Sequence, residues 1–93
     1  MQRNTFINKL GEEFSYLVHE EENSKINFVF FHATGFNSET YKILFDGLKI
    51  FYGNKINIYA LDQRGHGLSK AQSDHRTLKN WDVFVDDGME FID

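Results

Sequence analysis

Two short segments of this 93-residue chain carry the residue types that could do chemistry. The first is His32-Ala33-Thr34-Gly35-Phe36, and the second runs from Asp62 to Ser69. Small residues in the first segment let a substrate oxygen approach backbone N–H groups, which is the arrangement that stabilises a developing oxyanion. An ordinary turn in which Gly35 only relieves strain accounts for the same residues. The spacing alone leaves both interpretations open.

The second segment reads Asp62-Gln63-Arg64-Gly65-His66-Gly67-Leu68-Ser69. Its two glycines permit positive φ angles or close backbone contact, and its polar side chains can fix the loop through hydrogen bonds. A dinucleotide fingerprint fails because Lys70 stands where the third glycine is needed, and no phosphate-binding G-x-x-x-x-G-K-[ST] run occurs. The four histidines form no i, i+4 pair, so we expect no metal and no cofactor.

Composition narrows the classes of function. Cysteine is absent, which excludes disulfide scaffolds, thiolate metal sites and cysteine nucleophiles. The net charge of −4 argues against a nucleic-acid partner. No apolar run approaches the roughly 18 residues of a membrane span, and Met1–Leu10 has no apolar signal core, so we expect a cytoplasmic protein. Ten Phe, four Tyr and one Trp indicate a packed core, within a single domain over residues 1–93.

Hydrophobic periodicity predicts the elements that position the two segments. Thr5–Leu10 and the alternating Phe14–His19 predict an antiparallel hairpin. The nearly continuous apolar run Ile26–Phe31 predicts a strand buried on both faces. A helix should begin at Asn37 or Ser38, end at Gly53 and bury Tyr41, Leu44, Phe45, Leu48 and Phe51 or Tyr52.

Ile56–Leu61 predicts another strand, and a last helix capped by Thr77 should bury Leu78, Trp81, Val85, Met89 and Ile92. The order is β-β-β-α-β-α, an α/β class with a parallel crossover between the third and fourth strands. Ligands collect at the carboxyl ends of such strands. Both chemistry-bearing segments follow strand carboxyl ends, which is the main functional clue from the pattern.

The strand ending in H-A-T-G-F, the helix, the next strand and D-Q-R-G-H-G-L-S together resemble the N-terminal part of the α/β-hydrolase fold. The resemblance covers essentially the whole chain and implies an incomplete sheet of that fold. It implies that the Thr34 backbone N–H serves the oxyanion hole, within a turn formed with His32, Ala33 and Gly35. Ala33 stands where the family more often has glycine. The second segment, through Asp62, Arg64, Gly65, Gly67 and Ser69, is implied to support the site structurally.

The catalytic triad of that family is not found in this sequence. The nucleophile elbow is G-x-S-x-G, and none of the serines here lies between glycines at both ±2. The resemblance therefore implies the N-terminal fragment of a serine-type hydrolase, of esterase, lipase or peptidase type, acting on a small ester or amide substrate. A relative with an Asp nucleophile, such as a dehalogenase or epoxide hydrolase, remains open.

A non-catalytic reading also remains open, either as an inactive truncated product or as a small α/β interaction module. In the family's strand order another strand would pair along Ile26–Phe31. Without it, that apolar edge would be exposed, so we expect self-association, poor solubility or partial order of the isolated chain.

Overall fold

The computed structural model describes residues 1–33, 35–72 and 82–92. Four strands form one mixed sheet: β1 (Gln2–Ile7), β2 (Glu13–His19), β3 (Ile26–Phe31) and β4 (Ile56–Leu61), in the order β1-β2-β4-β3. In chain order, helix α1 (Lys42–Tyr52) connects β3 to β4, and helix α2 (Asp82–Ile92) follows β4. Short 3₁₀ turns over Ser38–Tyr41 and Gly53–Lys55 flank α1. The predicted order of strands and helices is confirmed.

The N-terminal hairpin is confirmed, with its first strand shifted. β1 pairs with β2 antiparallel, and Phe6 lies opposite Phe14. The prediction of Thr5–Leu10 was wrong at both ends: the strand begins at Gln2, which pairs with Val18, and it ends at Ile7, just before Asn8. The side-chain oxygen of Asn8 accepts hydrogen bonds from the backbone N–H groups of Leu10 and Glu12. These bonds turn the chain at the point where the strand would otherwise continue.

The crossover from β3 through α1 to β4 buries the larger apolar cluster. β3 and β4 pair in parallel, as predicted, from Ile26 opposite Ile56 to Phe31 opposite Leu61. Gly53 ends α1 with φ 62°, the left-handed conformation that favours glycine. The helix face is narrower than predicted, because Leu44 is exposed and so are both alternatives for its last position, Phe51 and Tyr52. The cluster comprises Leu17, Phe45, Ile56, Ile58 and Ala60, with Phe28, Phe30, Tyr41 and Leu48 packed against it.

Helix α2 covers the opposite face of the sheet. Phe91 packs edge-on against the rings of Phe6, Tyr16 and Phe31, beside a core of Phe14, Leu61 and Ala71. The predicted core face of this helix was wrong: Val85, Met89 and Ile92 are 59%, 58% and 55% exposed. The helix instead turns Asp87 and Gly88 inward. The predicted cap at Thr77 and the positions Leu78 and Trp81 lie outside the described residues.

β3 departs from the expectation of burial on both faces. Every residue from Ile26 to Phe31 is half-buried or exposed, because β3 is the edge strand of the sheet that the described residues form. The buried central strand is β4, which has a neighbour on each side. The continuous apolar run of β3 thus faces solvent along one edge.

Candidate functional site

The sheet brings the two chemistry-bearing segments together at the carboxyl ends of β3 and β4. Nε2 of His32 accepts a hydrogen bond from the backbone N–H of Gln63 at 2.9 Å. The Gln63 side-chain amide donates in return to the carbonyl oxygen of His32 at 2.5 Å. Both segments follow strand carboxyl ends, as predicted, and each segment holds the other through main-chain groups.

The first segment forms a tight turn after β3. His32 is buried, whereas Ala33 is exposed. The Ala33 N–H donates to the phenol oxygen of Tyr41 at 3.3 Å, and its carbonyl accepts from the N–H of Phe36 at 3.0 Å. Gly35 has φ 87°, so a side chain at this position would be strained. Thr34, the candidate oxyanion-hole residue, lies outside the described residues.

His66 is a residue of the site that the sequence did not single out. Its Nε2 accepts from the Gly35 N–H at 3.2 Å, and its Nδ1 lies 2.9 Å from the carbonyl oxygen of Arg64. The rings of His32 and His66 are 5.0 Å apart. The signal that could have found this residue is its position between two glycines, which lets the backbone carry the ring to the neighbouring loop.

Asp62 is the buried anion at the base of the site. Its carboxylate accepts from the Ser38 N–H and hydroxyl at 2.8 and 2.6 Å, from the Leu68 N–H at 3.0 Å and from the Arg3 guanidinium at 2.6 Å. Burial by itself would raise the pKa of Asp62, but these donors outweigh it and hold the pKa below its ordinary value. The carboxylate is therefore charged near neutral pH and ties β1, the turn before α1 and the second segment together.

The Asp62 carboxylate explains why the second segment has small residues close to it. A Cβ at Gly67 would collide with the Asp62 carboxylate, and Gly67 has φ 52°. Ser69 accepts from the Ser15 N–H through its hydroxyl oxygen, and the same hydroxyl donates to the carbonyl oxygen of Asp62. This segment shapes and anchors a loop, and its described polar groups hydrogen-bond within the scaffold.

Arg64 anchors α2 to the hairpin. The guanidinium binds Asp87 through Nε and Nη2 at 3.0 Å each, and Glu12 through Nη1 and Nη2 at 2.6 and 2.8 Å. Hydrogen bonds from Arg64 are the main cause that lowers the pKa of Glu12 to about 2, and the two carboxylates raise the pKa of Arg64. Arg64 thus fixes the helix that closes one face of the sheet.

The described residues contain no group of three His, Asp or Glu side chains placed to hold a metal ion. Within the same residues, no helix is long and apolar enough to cross a membrane. The site thus consists of two loops that hydrogen-bond to each other, with the buried Asp62 carboxylate beneath them.

Known proteins resemble this chain in structure. No protein-family model matches the sequence, and no curated protein matches it. A hydrolase from Pseudomonas aeruginosa PA01 superposes on 97% of the chain with a TM-score of 0.74 and 13% identity. The tetrameric haloalkane dehalogenase DpaA from Paraglaciecola agarilytica NO2 superposes on 98% with a TM-score of 0.80 and 17% identity.

At these identities the likeness shows the fold. The chain spans 31% and 30% of the two proteins' own lengths. In this chain, that share consists of a mixed four-stranded sheet with one helix after β3 and one after β4. The chain has the fold of the N-terminal part of an α/β-hydrolase domain.

Proposed function

We propose that this chain is the N-terminal portion of a serine-type α/β hydrolase that cleaves a small ester or amide. The observation that carries the proposal is the turn after β3, which is held by hydrogen bonds to the loop after β4. In the proposed mechanism the turn supplies the backbone N–H of Thr34 to the oxyanion. The chemistry of substrate attack belongs to residues outside these 93.

The residues on either side of Thr34 support an oxyanion-hole role for this turn. Donors that stabilise a transition state must be fixed before the reaction, so that no energy is spent on reorientation. Buried His32 fixes one end of the turn, and the Tyr41 phenol fixes the Ala33 N–H. Exposed Ala33 and Gly35 leave the rim of the turn open to a substrate. These contacts support the proposal through the residues on either side of Thr34.

The described serines support a nucleophile located elsewhere. The Ser69 hydroxyl accepts from the Ser15 N–H and donates to the Asp62 carbonyl oxygen, and the Ser15 hydroxyl accepts from the Arg3 guanidinium. The buried Ser38 hydroxyl donates to Asp62, and the Ser24 hydroxyl donates to the Ile26 carbonyl oxygen. A nucleophilic serine needs a general base within hydrogen-bond reach, and neither described imidazole at the site contacts a serine hydroxyl.

Substitutions at Thr34 test the proposal in the product of the complete reading frame that contains this chain. Thr34→Pro removes the backbone N–H and should lower kcat for a p-nitrophenyl ester by about 10²–10³-fold, the usual effect of losing one oxyanion donor. Thr34→Ala keeps the N–H and should stay within about threefold of wild type. Equal kcat values for the two variants would contradict the role of the Thr34 N–H.

An aspartate-nucleophile hydrolase is the related alternative, and the residue at the nucleophile elbow separates the two. A non-catalytic interaction module is the alternative of another class. The edge of β3 favours that second alternative, because its strand is apolar and has a neighbour on one side only among the described residues. Self-association through this edge is part of the proposal for the isolated chain.

A further inference from the structure

The two histidines of the site share one hydrogen-bonding pattern. In each ring, Nδ1 faces a carbonyl oxygen at 2.9 Å, of Ala33 for His32 and of Arg64 for His66. Each Nε2 faces a backbone N–H, of Gln63 for His32 and of Gly35 for His66. Because a carbonyl oxygen can only accept, both rings must be neutral and carry their proton on Nδ1.

Each of the two loops donates a backbone hydrogen bond to a histidine of the other loop. His32 leaves β3 and receives a donor from the loop after β4, while His66 belongs to that loop and receives a donor from the turn after β3. The amide of Gln63 adds a third bond between the loops. We propose that His32 and His66 form a latch between the loops, and that His66 is the positioning residue that fixes the backbone N–H of Gly35.

Protonation opens this latch. A proton on Nε2 would turn the acceptor into a donor that points at another N–H, so each ring would lose its cross-loop bond. Burial lowers the pKa of His32, and the neighbouring His66 ring lowers it further, whereas the Ala33 carbonyl and the Asp62 carboxylate oppose this effect. His32 is therefore neutral near pH 7, and its half of the latch is closed there.

The groups around the pair are few among the described residues. Asp62 faces it from the end of β4, and the Tyr41 phenol faces the turn from the 3₁₀ turn before α1. The Arg64 guanidinium is held by Glu12 and Asp87, and Arg3 is held by Asp62 and Glu39. Among the described residues, the two imidazoles are thus the titratable groups of this cluster that hydrogen-bond across the two loops.

The consequence for catalysis rests on the proposed function, but the latch can be tested without it. Nitrogen-15 NMR of the 93-residue chain near pH 7.5 should show Nδ1 protonated and Nε2 unprotonated in both rings. A scalar coupling across the hydrogen bond should connect the Gly35 amide nitrogen to Nε2 of His66. Rings that exchange between the two neutral tautomers, or a Gly35 amide without a coupling to His66, would overturn the latch.

Two variants separate positioning from general structure. His66→Gln places an oxygen near the position of Nε2 and does not titrate, so Gly35 should stay protected from hydrogen exchange at pH 5. His66→Asn keeps a donor for the Arg64 carbonyl but lacks the distant acceptor. The Gly35 amide should exchange about tenfold faster in His66→Asn, the effect of losing roughly one hydrogen bond. Equal Gly35 exchange in the two variants would remove His66 from the positioning role.

These measurements use no substrate, so their outcome is independent of the hydrolysis assays. A closed latch together with an inactive full-length product would leave the inference standing and reject the proposed function. An open latch together with a Thr34→Pro effect would do the reverse.

Discussion

The Asp62 carboxylate accepts hydrogen bonds from three separate parts of the chain. Its negative charge explains why the side chains and N–H groups around it are hydrogen-bond donors. Arg3 lies 59 positions away from Asp62 in sequence, and Ser38 lies 24 away. The sequence pattern predicts that Asp62 and Gly67 shape one loop. It could not predict Arg3, because only the pairing of β1 with β2 and β2 with β4 carries the guanidinium to the carboxylate. His66 escaped prediction for the same reason, since its partner Gly35 lies on another loop.

Gly67 should tolerate no side chain. We expect Gly67→Ala to lower the free energy of unfolding by about 2–4 kcal/mol, because a Cβ displaces the Asp62 carboxylate and the positive φ is strained. The matched control is Gly47→Ala in α1, where a Cβ meets no atom within 4 Å. That change should stabilise the chain by about 0.5–1 kcal/mol. Urea unfolding measures both, and a neutral Gly67→Ala would contradict the packing of the loop.

Glu12 should make stability depend on acid pH. Its folded pKa of about 2 lies below the ordinary value of 4.5, so its contribution is fully present well above pH 4.5 and is lost as the pH falls towards 2. The contribution is about 2 kcal/mol once partial exposure is allowed for. The difference in unfolding free energy between wild type and Glu12→Gln should therefore shrink between pH 5 and pH 3. A difference that stays constant over this range would exclude the charged pair as its cause.

Helix α2 shows what amphipathic spacing alone cannot decide. Val85, Met89 and Ile92 have helical spacing, yet the buried side of the described helix carries Asp87 and Gly88. Arg64 selects that side by drawing Asp87 inward, and a Cβ at Gly88 would lie only 3.3 Å from the Phe31 ring. The sequence pattern predicted one face, and the face that is buried instead depends on an ion pair between distant residues.

The two faces of α2 should therefore respond differently to truncation. Phe91→Ala should destabilise the chain by about 2–3 kcal/mol, because its ring contacts three other aromatic rings. Val85→Ala should change stability by no more than about 0.5 kcal/mol, as is usual for an exposed position. Thermal unfolding of the two variants gives the comparison, and the reverse order would mean that the helix packs on its other face.

For the whole molecule, the feature with the largest consequence is the edge of β3, which pairs on one side only within the part of the chain that the structure describes. Natural sheets protect edges with charge or proline, whereas Ile26–Phe31 contains neither. We expect the sedimentation coefficient of the isolated chain to rise with concentration. Ile26→Lys, at the edge, should reduce that rise, whereas Ile50→Lys on exposed α1 should leave it nearly unchanged. A wild-type chain that remains monomeric at all concentrations tested would argue against self-association.

The proposal also predicts that the 93-residue chain alone does not hydrolyse esters. Residual turnover after loss of a triad needs an intact pocket, and the chain spans only about 30% of the hydrolases it resembles. We expect p-nitrophenyl acetate hydrolysis no faster than that of an equal concentration of free imidazole. Turnover above this background would mean that the described groups are catalytic by themselves.

Sequencing the coding DNA downstream of codon 93 tests whether this chain is the N-terminal portion of a hydrolase. A hydrolase domain requires the next strand to pair along β3 and to lead into a nucleophile elbow. We therefore predict an open frame that encodes an apolar strand followed by Gly-x-Ser-x-Gly within a few tens of codons. An elbow with Asp in place of Ser would reassign the chemistry to an aspartate-nucleophile hydrolase. A stop codon at once, or a long frame with neither elbow, would contradict the assignment of this chain to a hydrolase.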